Sequence, residues 1–399
     1  MIRRDQYLNK LISFKDRDLI KIVTGIRRCG KSTLLELFRE YLLDNGVDEG
    51  QIIAINFENV EYNHLLDFME LHKYVKERVQ KGKKNYLFFD EIQNVPSFEK
   101  AINSLHLDKN IDIYLTGSNA YMLSGELATL LSGRYVEIEM LPLSFDEYIS
   151  AVGIEGNLET KYKEYLEFGA FPYILELDKD EDAIRDYLTG IFNTIILKDV
   201  VVRKKVSDPL MLESVVKFMF GNIGNACSMK KISDTMTSDG RKITSKTVET
   251  YISGLVDSFI FYRAKRYDLK GKQLLKTNEK YYAADIGLKY FVQGRKGEDI
   301  GHILENVVYL ELRRRGNKVH IGKVDQYEID FIAEGIKGTE YYQVAASVRD
   351  RSTLERELNS LRKTGDDYPK YLITMDNDPQ VSHDGIRQIN IIDFLLKRY

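Results

Sequence analysis

Cysteine is almost absent: Cys29 and Cys227 are the only two in 399 residues. No Cys/His group has the spacing of zinc ligands, so a disulfide scaffold and a zinc finger are both excluded. No apolar run is long enough to span a bilayer, and no membrane partner is expected. The opening MIRRDQYLNKLISFKDRD has no apolar stretch behind its basic residues, so no signal peptide is expected and the chain reads as cytoplasmic. An excess of one charge is missing as well: 58 Lys and Arg face 61 Asp and Glu, a net charge of −3. That excludes a wholly basic nucleic-acid binder but leaves room for a local basic patch. What remains is an ordinary soluble composition, 43% hydrophobic and 30% charged, with mean hydropathy −0.33. The length suggests two or three domains.

In the first part of the chain, short apolar runs at 19–24, 52–57, 86–89 and 111–116 alternate with helical patterns. An alternating run at 135–140 is a candidate fifth strand. Strands that alternate with helices predict a parallel sheet covered on both faces. From Pro142 the pattern turns helical, as expected of a lid. Residues 210–220, 229–235 and 245–255 then read as three short helices, followed by strands at 259–266 and 279–284: the outline of a winged helix-turn-helix. From about Gly301 a helix, three strands, a helix and further apolar runs follow. The stretch Gly294, Arg295, Lys296, Gly297 reads as a linker.

The strongest motif is Gly25-Ile26-Arg27-Arg28-Cys29-Gly30-Lys31-Ser32, followed by Thr33. It fits G-x-x-x-x-G-K-[ST] without a mismatch, between a strand and a helix. The glycines let backbone N–H groups wrap around phosphates. Lys31 adds charge at the β/γ-phosphates, Ser32 is a Mg²⁺ ligand, and the positive helix end faces the anion. Arg27 and Arg28 add positive potential, and Cys29 reads as a tolerated loop residue rather than a redox switch. A second apolar strand ends in Asp90-Glu91. Asp90 would hold Mg²⁺ through its water shell, and Glu91 would orient and deprotonate the attacking water. After the neighbouring strand, Ser118 or Asn119 is a candidate to touch the γ-phosphate or that water. The alternative is an ordinary helix cap. Arg134 is a candidate transition-state arginine, in cis or across a subunit interface, or else a plain surface arginine.

Together G-I-R-R-C-G-K-S-T, Y-L-F-F-D-E-I-Q, L-T-G-S-N, L-S-G-R-Y and L-P-L-S-F-D-E-Y resemble a widespread family of bacterial and archaeal AAA-type ATPases with a C-terminal domain of uncharacterised function. F-G-A-F-P, ending at Pro172, looks like that family's G-x-x-P element in the lid, which approaches nucleotide in related signalling ATPases. K-Y-Y-A-A-D-I-G-L, L-E-N-V-V-Y-L-E-L-R-R-R-G and E-I-D-F also match. The resemblance covers nearly the whole chain. It implies ATP and Mg²⁺ as ligands, and ATP hydrolysis.

Two further regions invite chemistry. Arg263, Lys265, Arg266, Lys270, Lys272, Lys276 and Lys280 crowd the expected wing. With the helix at 245–255 in the major groove, they would hold DNA phosphates. That helix carries few base-reading residues, and interdomain packing is the rival reading. The C-terminal order of elements looks like a restriction-nuclease core, with Glu305 on the leading helix and Asp330 on a strand. The next strand offers Gln343 and Ala345 where such a core has an acid and a lysine. Nuclease activity is therefore not expected unless a basic residue such as Arg349 or Lys323 migrates into place.

The expected fold is α/β: a P-loop NTPase parallel sheet with a helical lid, then a winged helix and a restriction-nuclease-like α/β domain. The expected boundaries are 1–150, 151–205, 206–290 and 291–399. The expected function is Mg²⁺-dependent ATP binding and hydrolysis driving a conformational switch. The alternatives are an ATP-regulated DNA-binding or signalling protein with slow turnover, and an ATP-controlled nuclease. Candidate partners are ATP, DNA, a protein partner and further copies of the chain.

Overall fold

The computed structural model describes residues 2–119, 131, 133–294, 300–378 and 381–399, without the side chains of 276 and 277. Ser132, the linker residues Arg295, Lys296 and Gly297, and the Lys276 side chain lie outside the described residues. The chain divides into two compact units, Met1–Met140 with Asp257–Phe259, and Leu141–Val256 with Ile260–Tyr399.

The first unit holds helix α1 (Asp5–Ser13), strand β1 (Ile20–Thr24), α2 (Lys31–Asp44), β2 (Ile52–Asn56), α3 (Phe68–Arg78), β3 (Asn85–Asp90), α4 (Phe98–His106), β4 (Ile111–Gly117) and β5 (Tyr135–Glu139). The five strands form one sheet in the order β2-β3-β4-β1-β5. Every pairing is parallel. All five apolar runs of the sequence are strands. Those at β1, β3 and β4 are buried along their whole length, as strands covered on both faces must be. Ile22, Leu87, Phe89, Ile102 and Leu115 form the centre of the core. Because the strands are parallel, the carboxyl ends of β1, β3 and β4 lie side by side: Thr24 is opposite Gly117, and Phe89 opposite Leu115. Loops leaving that edge converge, which is where open α/β sheets place their ligands.

The second unit begins with α5 (Phe145–Val152), α6 (Leu158–Phe168) and α7 (Glu181–Thr194), continued by a π-helical turn at Ile195–Val202. Helices α8 (Pro209–Gly221), α9 (Met229–Ser238) and α10 (Ser245–Asp257) follow where three were expected. The hairpin β6 (Phe261–Asp268) and β7 (Gln273–Ala283) comes next, then α11 (Ile286–Gln293) and α12 (Ile300–Arg314). The remainder is β8 (Lys318–Val324), β9 (Tyr327–Gly335), β10 (Gly338–Val344), α13 (Arg351–Arg362), β11 (Lys370–Thr374), β12 (Val381–His383), β13 (Ile386–Asn390) and α14 (Ile391–Leu395).

One expectation needs correcting here. The β6–β7 hairpin is not a free wing: β6 pairs in parallel with β8. The hairpin is thereby the end of an eight-stranded sheet ordered β12-β13-β11-β10-β9-β8-β6-β7. A boundary at 290/291 would cut this sheet in two. The sequence order hid the join, because α11 and α12 intervene between β7 and β8. Among the described residues no helix is long and apolar enough to cross a membrane.

Candidate nucleotide site

The loop between β1 and α2 is shaped by its glycines. Gly25 has φ +142°, and a Cβ there would lie 2.1 Å from the Met140 carbonyl oxygen, so no larger residue fits. Gly30 caps α2 with φ +100°. Lys31 is buried at the first turn of α2, and its Nζ donates to the carbonyls of Gly25 (3.0 Å) and Ile26 (3.2 Å). The ammonium thus lies over the loop rather than in the core. Ser32 is exposed and Thr33 half-buried. Ile26 and Cys29 are fully buried. Burial pushes the Cys29 thiol up, and its Sγ donates to Met140 O at 3.4 Å. Cys29 is packed inside the loop. Arg27 Nη1 pairs with Glu58 Oε1 at 3.2 Å, so its charge is matched by a carboxylate, while Arg28 is exposed with φ +65°.

Asp90 and Glu91 face this loop. Burial raises the Asp90 carboxyl, opposed by hydrogen bonds from the Thr116 and Ser32 hydroxyls. The other oxygen, Oδ2, accepts from Asn56 Nδ2 at 3.0 Å. Glu91 sits in the left-handed region with φ +53°. Its N–H donates to Thr116 Oγ1 at 2.9 Å. Its Oε2 accepts from Ser118 Oγ at 3.0 Å and from Gln93 Nε2. Its Oε1 is 4.0 Å from Lys31 Nζ. Thr116 therefore clamps both acids, one by its hydrogen and one by its oxygen. Ser118 is the polar residue whose hydroxyl reaches Glu91, and Asn119 is buried beside it. The Ser32 hydroxyl and the Asp90 carboxylate are hard oxygen donors side by side, which suits Mg²⁺.

Asn56, Thr116 and Gln93 were not singled out from sequence. Asn56 and Thr116 each sit at or near the carboxyl end of a strand beside β3, a position that parallel pairing alone makes meaningful.

Arg134 does not join the others within the first unit. Arg134 is exposed, and its carbonyl accepts from Ile20 N–H at 2.9 Å, at the start of β1. The phosphate loop leaves the far end of that five-residue strand, roughly 15 Å away at about 3.3 Å per residue. Arg134 therefore cannot act in cis. Pro172 opens a short 3-10 turn, Pro172–Glu176, in the second unit.

In the second unit, the expected wing charges are largely matched by carboxylates. Arg263 pairs with Glu279 (3.6 Å), Arg266 with Glu328 (3.7 Å) and Lys270 with Asp325 (2.7 Å). Lys265 and Lys272 are exposed. Lys280 is buried, with Nζ 2.9 Å from Glu328 and 3.3 Å from Glu305. Glu305 and Asp330 do come together, both raised by burial, and Lys280 is the ammonium facing them. Neither Arg349, which faces Asp376 at 3.5 Å, nor Lys323 takes that role. Gln343 donates to Glu357 at 2.7 Å, and Val344 N–H holds Asp330 at 2.8 Å. Among the described residues no group of three or more His, Cys, Asp and Glu is arranged to hold a metal ion.

With this geometry in view, residues 17–149 match the model of an AAA domain, and residues 159–299 that of a domain of unknown function, DUF8612. An uncharacterized protein of Haemophilus influenzae is 41% identical over 100% of this chain and 99% of its own length. The uncharacterized protein MJ1544 of Methanocaldococcus jannaschii is 30% identical over 86% of this chain and 78% of its own length. The chain belongs to this AAA-domain family. The fold is also that of the Walker-type ATPase PABY2304 of Pyrococcus abyssi, with TM-score 0.53 and 15% identity over 73% of this chain and 96% of that one. The AAA assignment thus covers the five-stranded sheet and its loop, and the α/β fold with a parallel sheet is that of P-loop ATPases.

Proposed function

We propose that the protein binds ATP with Mg²⁺ and hydrolyses it, using the turnover to switch the conformation of its second unit. The observation that carries this is the convergence of Lys31, Asp90, Glu91 and Ser118 at one edge of the sheet, with Glu91 Oε1 4.0 Å from Lys31 Nζ. The amides of the Gly25–Gly30 loop and Lys31 hold the phosphates. Ser32 and Asp90 would hold Mg²⁺, which would neutralise phosphate charge as the reaction proceeds. Glu91 accepts the proton of the attacking water. The water oxygen bonds to the γ-phosphorus, and the bridging P–O bond breaks with its electron pair leaving on ADP. Thr116 fixes the spacing of Asp90 and Glu91, and Ser118 orients the Glu91 carboxylate.

Pro172, by its resemblance to the G-x-x-P element, senses the nucleotide from the lid. Arg134 acts on the nucleotide of a second copy, which makes the homo-oligomer part of this reading. The DNA-binding alternative loses much of its support, because Arg263, Arg266, Lys270 and Lys280 already face carboxylates.

Lys31→Ala is expected to lose ATP affinity while keeping its fold. Glu91→Gln is expected to bind ATP and retain it, with turnover falling by roughly 10²-fold or more. Equilibrium binding and steady-state phosphate release check both. ATP binding unchanged in folded Lys31→Ala would sink the assignment.

A further inference from the structure

Gln93 is the residue of this site whose chemistry is left over. It follows Glu91 by two positions in the short 3-10 turn Ile92–Asn94, and the left-handed backbone of Glu91 starts that turn. The amide orientation is fixed by its neighbour. Nε2 donates to Glu91 Oε2, and the flipped amide would set oxygen against carboxylate oxygen. The other end of the amide, Oε1, is buried and has no hydrogen-bond donor among the described residues. A buried carbonyl oxygen without a donor costs free energy, so it needs a reason. It is an acceptor, close to the group that must receive a proton from water.

We propose that Gln93 Oε1 is the second acceptor for the attacking water in the ATPase reaction, a reading that rests on the function proposed above. A water molecule has two hydrogens. One points to Glu91 Oε1, the oxygen not taken by Ser118 and Gln93. The other points to Gln93 Oε1. The lone pair is then turned away from both acceptors, toward the γ-phosphate. A glutamine amide can hold a lytic water in this way because it accepts without taking the proton. Gln93 keeps its own protons throughout, and the water proton goes to Glu91.

Two variants separate this role from simple packing. Gln93→Leu keeps the volume and removes both amide functions. Its kcat is expected to fall about 10²-fold, the size of effect that misplacing a reactant produces. Its KM for ATP and its thermal midpoint should stay near wild type. Gln93→Glu keeps an acceptor at the same reach but sets a like charge beside Glu91. Its kcat should lie above that of Gln93→Leu, because a carboxylate oxygen again accepts from the water.

The measurement is kcat and KM, with Tm and nucleotide affinity for each variant. Gln93→Leu turning over like wild type overturns the proposal. So does Gln93→Glu turning over no faster than Gln93→Leu, or kcat, KM and Tm moving together. A wild type that shows no turnover at all overturns the ATPase reading itself, whereas failure in the Gln93 variants alone leaves that reading standing.

Discussion

Lys21 is the second residue of β1 and has no exposed surface. Its Nζ donates to Asp112 Oδ1 at 2.5 Å and to Arg17 O at 2.9 Å. Asp112 also receives the Tyr114 hydroxyl and the Asp16 N–H, each at 2.9 Å. Burial pulls the Lys21 ammonium down, against the pull of Asp112. A buried pair of this kind is costly to break from one side only. Lys21→Met should lower the unfolding free energy by about 3–5 kcal/mol, because Asp112 is left buried without its counter-charge. Adding Asp112→Asn should recover part of the loss, since a neutral amide oxygen still accepts from Tyr114 and Asp16. Urea titrations of the single and double variants check this. At this scale the sequence is legible only where a residue type names its own chemistry. Lys31 and Asp90 stand in motifs, whereas Lys21 looks like an exposed position in an alternating strand. Only the register that sets β1 beside β4 brings Lys21 and Asp112 together.

Between elements, two sequence motifs meet in a way that neither announces. The chain leaving α6 passes Gly169, with φ +94°, and its Ala170 N–H donates to Asp285 at 2.6 Å. Asp285 also caps α11, accepting Leu288 N–H at 2.7 Å. A Cβ on Gly287 would come 2.5 Å from Phe168 O, so the end of α6 and the start of α11 touch backbone to backbone. Burial pushes the Asp285 carboxyl up to about 6, against the backbone donors that favour its charge. A carboxyl whose folded value exceeds its unfolded one stabilises the fold most when protonated. That contribution is full below about pH 4 and is lost as pH rises through about 6. The elevation is about two pH units at ~1.4 kcal/mol each. Unfolding free energy, taken as wild type minus Asp285→Asn, should therefore fall by about 3 kcal/mol between about pH 4 and pH 7. Denaturant midpoints at fixed pH values measure it. The helices and strands around this joint were readable from periodicity. The joint itself was not, because glycine close-packing and an acid on two backbone donors leave no periodic trace.

Across the whole chain, the five-stranded sheet with its phosphate loop was legible, because strand, loop and helix follow one another in sequence order. The eight-stranded sheet was only half legible: its hairpin at one end looked like a separate wing, since the strand it joins lies beyond two helices. That join has a consequence for divisibility. A cut in the stretch 295–299 would leave β6 and β7 on one piece and β8 to β13 on the other. Each piece would carry an unpaired strand edge, and unpaired edges seek partners. Lys280 would go with one piece, and Glu305 and Asp330 with the other. The halves should behave as complementing fragments. Made separately, each should be poorly soluble; made together, they should co-purify as a heterodimer. Replacing Lys280 by Glu should prevent that reunion, because the carboxylates would then meet a like charge. What looks like two exchangeable modules is, on this account, one piece that cannot be divided between β7 and β8.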